Sequence, residues 1–224
     1  TIIPGILGFC LLLLFIIIEK RTSEPLIPSS LIRIRSLVSA TISAALFYAS
    51  FGTLYYFLTL YTQEVLHYSA ILSGVSFLPL TLSALVGSKF INKMISQIGI
   101  AGTMGTGMVL GSIGFIILIQ LTVHGSIWAM IFGTIIIGLG QAFVFTTMFI
   151  AASLGIEMKQ QGIASAIINT GQQIGSAVGL AVIMAIVSAT LNTSGSLEQM
   201  GNELLTDAVR MALIIEAIIA LVGL

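Results

Sequence analysis

The chain has 224 residues, of which 57% are hydrophobic and only 7% are charged, whereas soluble proteins carry about 25% charged residues. Its eight basic and eight acidic residues give a formal net charge of zero, so there is no basic field to attract nucleic acid. This composition excludes an ordinary soluble enzyme, a disordered chain and a nucleic-acid-binding protein. The single cysteine, Cys10, excludes an internal disulfide framework and a multi-cysteine metal site.

Long uncharged runs predict helices that cross a membrane. Asp, Glu, Lys and Arg are absent from residues 1–18, 36–63, 65–88, 94–156 and 160–197. A hydrocarbon core of about 30 Å needs roughly 20 helical residues, so the longest run suits two spans with a turn at His124-Gly125-Ser126. The runs do not favour barrel strands, because they are too long and do not alternate between apolar and polar residues. We predict an all-α integral membrane fold with seven helices, at 2–18, 37–62, 70–88, 102–121, 126–151, 162–190 and 207–224.

The basic residues predict the orientation of these helices, because Lys and Arg collect on the cytoplasmic side of a membrane. With seven alternating helices, the opposite side receives only Arg210, together with the acidic residues Glu198 and Glu203 of the 191–206 loop. The 19–36 loop is therefore predicted to be cytoplasmic. The basic residues of that side are Lys20, Arg21, Arg33, Arg35, Lys89, Lys93 and Lys159.

The polar stretch 19–36 divides the chain into a first helix, 1–18, and a compact unit of six helices, 37–224. This linker contains two prolines and six charged residues, and proline stops helix propagation. Because Thr1 is not a start methionine and the first apolar run begins at once, we expect a fragment of a longer gene product.

Glycine spacing predicts where the helices touch. Gly171, Gly175 and Gly179 recur every four residues, and Gly107 and Gly111 repeat that spacing. Small residues on one helix face let backbones approach closely in a membrane. Pro79 lies inside the predicted 70–88 helix and should kink it, either as a static bend or as a hinge.

Four segments occur in the order of a known family. They are EPLIPSSLIRIR (24–35), LYTQEVLHYSAILSGVSFLP (60–79), GLGQAF (138–143) and GIASAIINTGQQIGSAVGLAV (162–182). Together they resemble the C-terminal half of the fourteen-helix drug:proton antiporters (QacA/EmrB type) of the major facilitator superfamily. Three departures stand out: GSKFINKMISQIG (87–99) lacks the acidic residue of the family's loop motif, His67 replaces a usual glycine, and Gln172 stands where relatives often carry arginine.

The resemblance implies a fold and a function. Helix 2–18 would be the second of two extra central helices, and 37–224 would be the C-terminal six-helix bundle, whose last helix is peripheral. The function would be proton-driven efflux of small amphipathic compounds by alternating access at the cell membrane. The partners would be the lipid bilayer and the missing N-terminal half of the same protein, and no cofactor would be needed beyond the proton gradient.

Glu216 is the one ionisable residue at membrane depth, about ten residues into the last predicted helix. A charged residue at that depth is a functional candidate by default. A carboxyl group in apolar surroundings favours its neutral form and can take up or release a proton, which proton coupling requires. Glu216 is therefore either a coupling residue or an acid held by a local hydrogen bond.

Other candidates are polar or aromatic. Gln63 and Glu64 lie at the outer end of the second helix, either as a gate or rim or simply as helix-end groups in water. Aromatic faces and isolated amides bind amphipathic cations, although a large aromatic on a membrane helix also packs or faces lipid. The residues predicted to line a substrate cavity are Phe47, Phe51, Tyr55, Gln141, Phe145, Asn169 and Gln173, with Phe149 continuing the pattern.

Two alternatives to drug efflux stay open. The same fold could carry a metabolite, a sugar or a siderophore. An integral-membrane enzyme or a scaffold is more remote, because the sequence contains no HExxH, paired-carboxylate or phosphate-cradling motif. His67 and His124 fall on predicted loops without a ligand array suited to a metal.

Overall fold

The computed structural model describes residues 2–22, 31, 33–191 and 201–223. Its described residues are almost entirely helical, and none of them forms a strand. The membrane-length helices are α1 (Ile2–Arg21), α2 (Arg35–Val65), the pair α3 (Ala70–Ser76) and α4 (Leu78–Ser88), α5 (Ile91–Leu118), α6 (Ile127–Ser153), α7 (Gln161–Thr190) and α8 (Asn202–Val222).

Five of these elements are long and apolar enough to cross a membrane: α2, α3 with α4, α5, α6, and α7 with the 3₁₀ turn Met158–Gln160. Helix α1 contributes a shorter apolar stretch at Ile6–Glu19. Helix α8 is long enough to cross a membrane, but it carries four ionisable residues: Glu203, Asp207, Arg210 and Glu216. The predicted all-α membrane fold is thus confirmed.

Helix α2 is continuous from Arg35 to Val65 but contains two π-helical turns, Tyr48–Gly52 and Tyr61–Val65. A π-turn shifts the backbone hydrogen bonds by one residue and rotates the side chains that follow. Around the first turn, side-chain hydroxyls bond back to the backbone. The Ser50 hydroxyl donates to the Phe47 carbonyl (3.1 Å), and the Thr53 hydroxyl lies 3.0 Å from the Ala49 carbonyl and 2.8 Å from the Ser50 carbonyl.

The predicted 70–88 helix is interrupted at Phe77. Pro79 does not lie in the middle of a helix, as expected from the sequence, but in the first turn of α4. There its missing N–H costs no intrahelical hydrogen bond. The residue that separates the two helices is therefore Phe77, two positions before the proline.

The stretch between α4 and the predicted 102–121 helix was expected to be a loop, and this is wrong for residues 91–98, which are helical. Gly99 (φ 75°) then turns the chain before the membrane part of α5 begins. The physical reason is amphipathic spacing, because Ile91 packs with Met94, Ile95 and Phe143 in a small apolar cluster.

Other boundaries also differ from the predictions. Helix α1 extends to Arg21, so part of the predicted 19–36 linker is helical, and α2 begins at Arg35. Helix α8 begins at Asn202 rather than 207, because Leu205 already lies in the core at 1% exposure. Pro25, Pro28 and Glu198 lie outside the described residues.

Glycines allow two helix pairs to pack at short distance. A Cβ at Gly107 of α5 would lie 2.7 Å from the Gly140 carbonyl oxygen of α6. A Cβ at Gly179 of α7 would lie 2.5 Å from Cα of Ala49 on α2. Because real Cβ atoms do not sit so close to backbone, both contacts require glycine.

Hydrogen bonds from helix side chains to loop carbonyls show which helix ends lie together. At one end the Ser36 hydroxyl donates to the Leu154 carbonyl (3.0 Å). At the other end the Tyr61 hydroxyl donates to the Thr122 carbonyl (2.6 Å), and Arg210 Nε donates to the Leu121 carbonyl (2.7 Å). The predicted turn before α6 is present, with Gly125 at φ 82°.

Large apolar side chains cover the outside of the bundle. Ile71, Leu85, Ile127 and Trp128 are each more than 60% exposed. On a water-soluble protein such a surface would drive association, whereas in a bilayer it faces acyl chains. The structure thus supports contact with lipid.

Candidate functional site

Three helices bring polar and aromatic side chains to one cavity of about 160 Å³. Helix α2 contributes Tyr55, α6 contributes Gln141 and α7 contributes Gln173. We call these three residues, with Phe47 and Phe51 beneath them, the aromatic–amide face. All five were predicted from the sequence, and all five line this cavity.

A hydrogen bond joins two members of this face. The Tyr55 hydroxyl donates to the side-chain oxygen of Gln141 across 3.2 Å. The same two residues line a second cavity of about 290 Å³ between α2, α4 and α6, which also includes Phe145 and Thr81. The Tyr55–Gln141 pair therefore forms the boundary between the two cavities.

Phe47 and Phe51 occupy a different environment from the open stacking face that the sequence suggested. They are only 1% and 2% exposed, and their ring centroids lie 4.3 Å apart. Phe51 also packs edge-on against Phe115 (5.3 Å) and over Gly111, which has no side chain to displace the ring. These two phenylalanines form the buried floor of the cavity, while Tyr55, 38% exposed, forms its rim.

The remaining predicted lining residues are more scattered. Phe145 is 42% exposed and lines only the second cavity. Phe149 packs against Phe145, with ring centroids 5.3 Å apart, and is not among the residues that line either cavity. Asn169 is exposed one helical turn from Gln173 and lies outside both cavities.

Three lining residues were not predicted: Tyr48, Gly52 and Ser176. Tyr48 and Gly52 are the first and last residues of the π-helical turn. A pattern with four-residue spacing selects Phe47, Phe51 and Tyr55, but the π-turn rotates the helix so that Tyr48 and Gly52 join the same face. Gly52 also lets Ser176 approach, since a Cβ there would lie 3.2 Å from the Ser176 hydroxyl.

Glu216 lies on the other side of α2 from these cavities. Its side chain is completely buried, and its Oε1 accepts a hydrogen bond from the Thr53 hydroxyl at 2.7 Å. Its second oxygen, Oε2, is buried with no hydrogen-bond partner among the described residues. The next residue, Ala217, is held by α5, because the Ser112 hydroxyl donates to its carbonyl at 3.2 Å.

The other sequence candidates lie at helix ends. Gln63 is partly exposed and Glu64 is exposed in the second π-helical turn of α2, apart from both cavities. His67 (φ 54°) and His124 are exposed on connecting loops.

The described residues contain no group of three or more His, Cys, Asp or Glu that could hold a metal. Gln172 is buried and donates to the Met148 sulfur at 3.6 Å.

Comparison with known families decides what kind of bundle this is. A family model described as Major Facilitator Superfamily matches residues 1–180. The chain belongs to the major facilitator superfamily. The resemblance found in the sequence motifs is thereby confirmed, and this major facilitator chain is a multi-pass protein of the cell membrane.

Several curated relatives of this major facilitator chain are named for drug resistance or export. Puromycin resistance protein pur8 of Streptomyces alboniger is 30% identical over 185 residues, which cover 81% of this chain and 37% of the relative. Cephamycin export protein CmcT of Amycolatopsis lactamdurans is 31% identical over 192 residues, covering 84% and 39%. Multidrug resistance protein Stp of Mycobacterium tuberculosis is 28% identical over 208 residues, covering 92% and 38%. The chain thus spans less than two fifths of the length of these relatives.

Proposed function

We propose that the full-length protein exports small amphipathic compounds across the cell membrane by alternating access, and that this chain supplies one wall of the substrate cavity. The observation that carries the proposal is the aromatic–amide face, where Tyr55, Gln141 and Gln173 converge from three helices. Residues that line a transport cavity in this way must come from several helices of one bundle. The names of the relatives, which refer to puromycin resistance and to cephamycin export, support the same class of function.

The chemistry of the face favours amphipathic substrates. Among the described residues that line the two cavities none is charged, and the polar groups are amides and hydroxyls. Aromatic rings attract flat or quaternary cations, and a few amides orient a ligand in an otherwise apolar pocket. A sugar or a siderophore needs a denser set of hydrogen-bonding groups, so a metabolite transporter is the less favoured alternative.

We propose a proton gradient as the energy source, with no bound cofactor. Alternating access requires that the substrate and the coupling ion bind the two conformations with different affinity. Glu216 supports this proposal, because its buried carboxyl group is hydrogen-bonded to Thr53 through one oxygen, while the other oxygen has no partner in the part of the chain that the structure describes. The N-terminal half of the same protein is the proposed partner that covers the aromatic–amide face, so this chain alone should not transport.

Alanine substitutions in the full-length protein test the proposal. Gln141→Ala and Gln173→Ala should each change the resistance spectrum of cells challenged with ethidium and with neutral amphiphiles. Gln120→Ala is the matched control, because Gln120 is exposed at the end of α5 and lies outside both cavities. A wild-type spectrum for both cavity variants, at equal protein abundance, would contradict a substrate site at this face.

A further inference from the structure

One side of α2 faces the cavity and the other faces Glu216, and the π-helical turn Tyr48–Gly52 lies between them. Tyr48, Phe51 and Gly52 line the cavity. Directly after the turn, Thr53 is 1% exposed and contacts Glu216. A π-turn within an α-helix frequently marks a functional site. Thr53 therefore connects Glu216, on one side of α2, to the turn whose residues line the cavity on the other side.

The Thr53 hydroxyl has three possible acceptors within hydrogen-bond distance but only one hydrogen to donate. Its oxygen lies 3.0 Å from the Ala49 carbonyl, 2.8 Å from the Ser50 carbonyl and 2.7 Å from Glu216 Oε1. A hydroxyl carries one hydrogen and two acceptor lone pairs. Thr53 therefore cannot donate to a backbone carbonyl of the turn and to an ionised Glu216 at the same time.

The protonation state of Glu216 decides which bond forms. When the carboxyl group is neutral, its O–H donates to Thr53 Oγ1, and the Thr53 O–H donates to the Ala49 or Ser50 carbonyl. When Glu216 releases its proton to water, its carboxylate accepts the Thr53 O–H, and the backbone carbonyl loses that donor. The two states differ by the single proton of the Glu216 carboxyl group. In each state, every hydrogen bond that Thr53 makes joins one donor to one acceptor.

We propose that Glu216 and Thr53 form a proton-operated hydrogen-bond switch that sets the conformation of the π-helical turn Tyr48–Gly52 and, through it, the shape of the cavity. The switch rests on the proposed function for its purpose, since it would be the coupling step of a proton-driven exporter. It gives the turn a role in linking the buried acid to the substrate wall.

Other ionisable groups around Glu216 do not compensate its charge. The helices packed against α8 are α2, α5 and α7. Their ionisable residues are Arg35, Tyr48, Tyr55, Tyr56, Tyr61 and Glu64 on α2 and Lys93 on α5, whereas α7 has none. On α8 itself, Glu203, Asp207 and Arg210 lie toward the other helix end, and Arg210 is paired with Asp207 at 3.4 Å. Among the described residues, Thr53 is the one that hydrogen-bonds to the Glu216 side chain.

The residues around Glu216 and Thr53 are packed closely enough to transmit a conformational change of the π-helical turn to neighbouring helices. Phe51, inside the turn, packs over Gly111 of α5. The adjacent Ser112 donates to the Ala217 carbonyl beside Glu216. Helices α2, α5 and α8 therefore meet around the acid with small residues at the contact, so a shift of one hydrogen bond is transmitted by packed atoms.

Two measurements on the purified full-length protein test the switch without any substrate. Infrared spectroscopy should show the C=O stretching band of a neutral carboxylic acid that disappears in Glu216→Gln. In Thr53→Val, which keeps the shape but removes the hydroxyl, the band should shift to the frequency of a free acid. Thr53→Ser restores the hydroxyl and should leave the band at its wild-type position.

Hydrogen–deuterium exchange supplies the second readout. After correction for intrinsic rates, protection of the peptide that contains Tyr48–Gly52 should change by about two- to tenfold between mildly acidic and mildly alkaline pH, as expected for gaining or losing one hydrogen bond. The change should vanish in Glu216→Gln and Thr53→Val and persist in Thr53→Ser. A structural role for Thr53 would lower protection equally at both pH values, and this result would overturn the switch.

The two proposals fail in different ways. Wild-type protein that exports ethidium but shows no pH-dependent protection of the turn, or an acid band unchanged by Thr53→Val, overturns the switch and leaves the exporter intact. Failure of the wild-type protein to move ethidium or any other amphiphile contradicts the proposed function, whatever the spectra show.

Discussion

The Tyr55 hydroxyl donates a hydrogen bond to the Gln141 side-chain oxygen at 3.2 Å, which joins α2 to α6 between the two cavities. This bond fixes which end of the Gln141 amide points toward Tyr55. The NH₂ group is left as a donor for a ligand or water. The pair therefore places a hydroxyl and an amide at the boundary of the two cavities, beside the rings of the aromatic–amide face.

Removing this hydroxyl should weaken substrate binding without unfolding the protein. Tyr55→Phe keeps the ring, which lies 5.5 Å from the Phe77 ring. A neutral hydrogen bond contributes about 0.5–1.5 kcal/mol, so we expect the apparent affinity for ethidium to fall by about two- to tenfold. The measurement is ethidium efflux against concentration in the full-length protein. Tyr56→Phe on the same helix is the control, because Tyr56 lines neither cavity. Equal effects in the two variants would contradict a specific role for Tyr55.

The glycines of α7 should differ sharply in their tolerance of a methyl group. Gly175 lies against the backbone of Ala45, whereas a Cβ at Gly162 of the same helix would meet nothing within 4 Å. Overpacking typically costs about 1–3 kcal/mol, so Gly175→Ala should lower the thermal stability of the purified protein. Gly162→Ala should leave it unchanged or slightly raised, because alanine favours helix. Equal melting temperatures for the two variants would contradict the close α2–α7 contact.

Glu216→Gln should abolish net proton-driven efflux while protein abundance stays normal. The amide keeps the size of the side chain but cannot carry a proton in the working pH range. Equilibrium exchange of substrate, which needs no net proton movement, should continue. The control is Glu203→Gln, an exposed residue on the same helix. Wild-type efflux in Glu216→Gln would remove this residue from the coupling mechanism.

The alternation of helices, taken with the distribution of Lys and Arg, predicts on which side of the membrane each loop lies. In a background with the exposed Cys10 replaced by serine, Arg33→Cys and Lys93→Cys should both react with a membrane-impermeant thiol reagent only from the cytoplasmic side. His124→Cys should react only from outside. All three positions are exposed. Labelling of positions 33 and 93 from opposite sides would contradict the topology.

The sequence predicts much of this fold because membrane helices leave a strong composition signal. Uncharged runs locate the helices to within a few residues, and the loop before α6 is marked by Gly125. The helix at residues 91–98 was missed because Lys93 interrupts the apolar pattern and the segment is short. The start of α8 was placed five residues late because Glu203 resembles a loop residue, although Leu205, two positions after it, is buried.

The site was predictable in its residue types but not in its geometry. Four-residue spacing finds Phe47, Phe51 and Tyr55, yet it cannot show that the first two are buried under the third. The π-helical turn has no periodicity signal of its own, so Tyr48 and Gly52 were missed. Glu216 is conspicuous in the sequence, but its partner Thr53 is 163 residues away along the chain. Only packing of α8 against α2 brings the two side chains together.

Substrate protection of a cysteine in the aromatic–amide face tests the central claim most directly. In the full-length protein with Cys10→Ser, a thiol-reactive reagent would be applied to two single-cysteine variants. One is Gln173→Cys, at an exposed position of the cavity, and the other is the Gln120→Cys control. We predict that ethidium slows the labelling of position 173 in proportion to its occupancy and leaves that of position 120 unchanged. Labelling of position 173 that is insensitive to saturating ethidium, in protein that still exports it, would contradict the assignment of this face as the substrate wall.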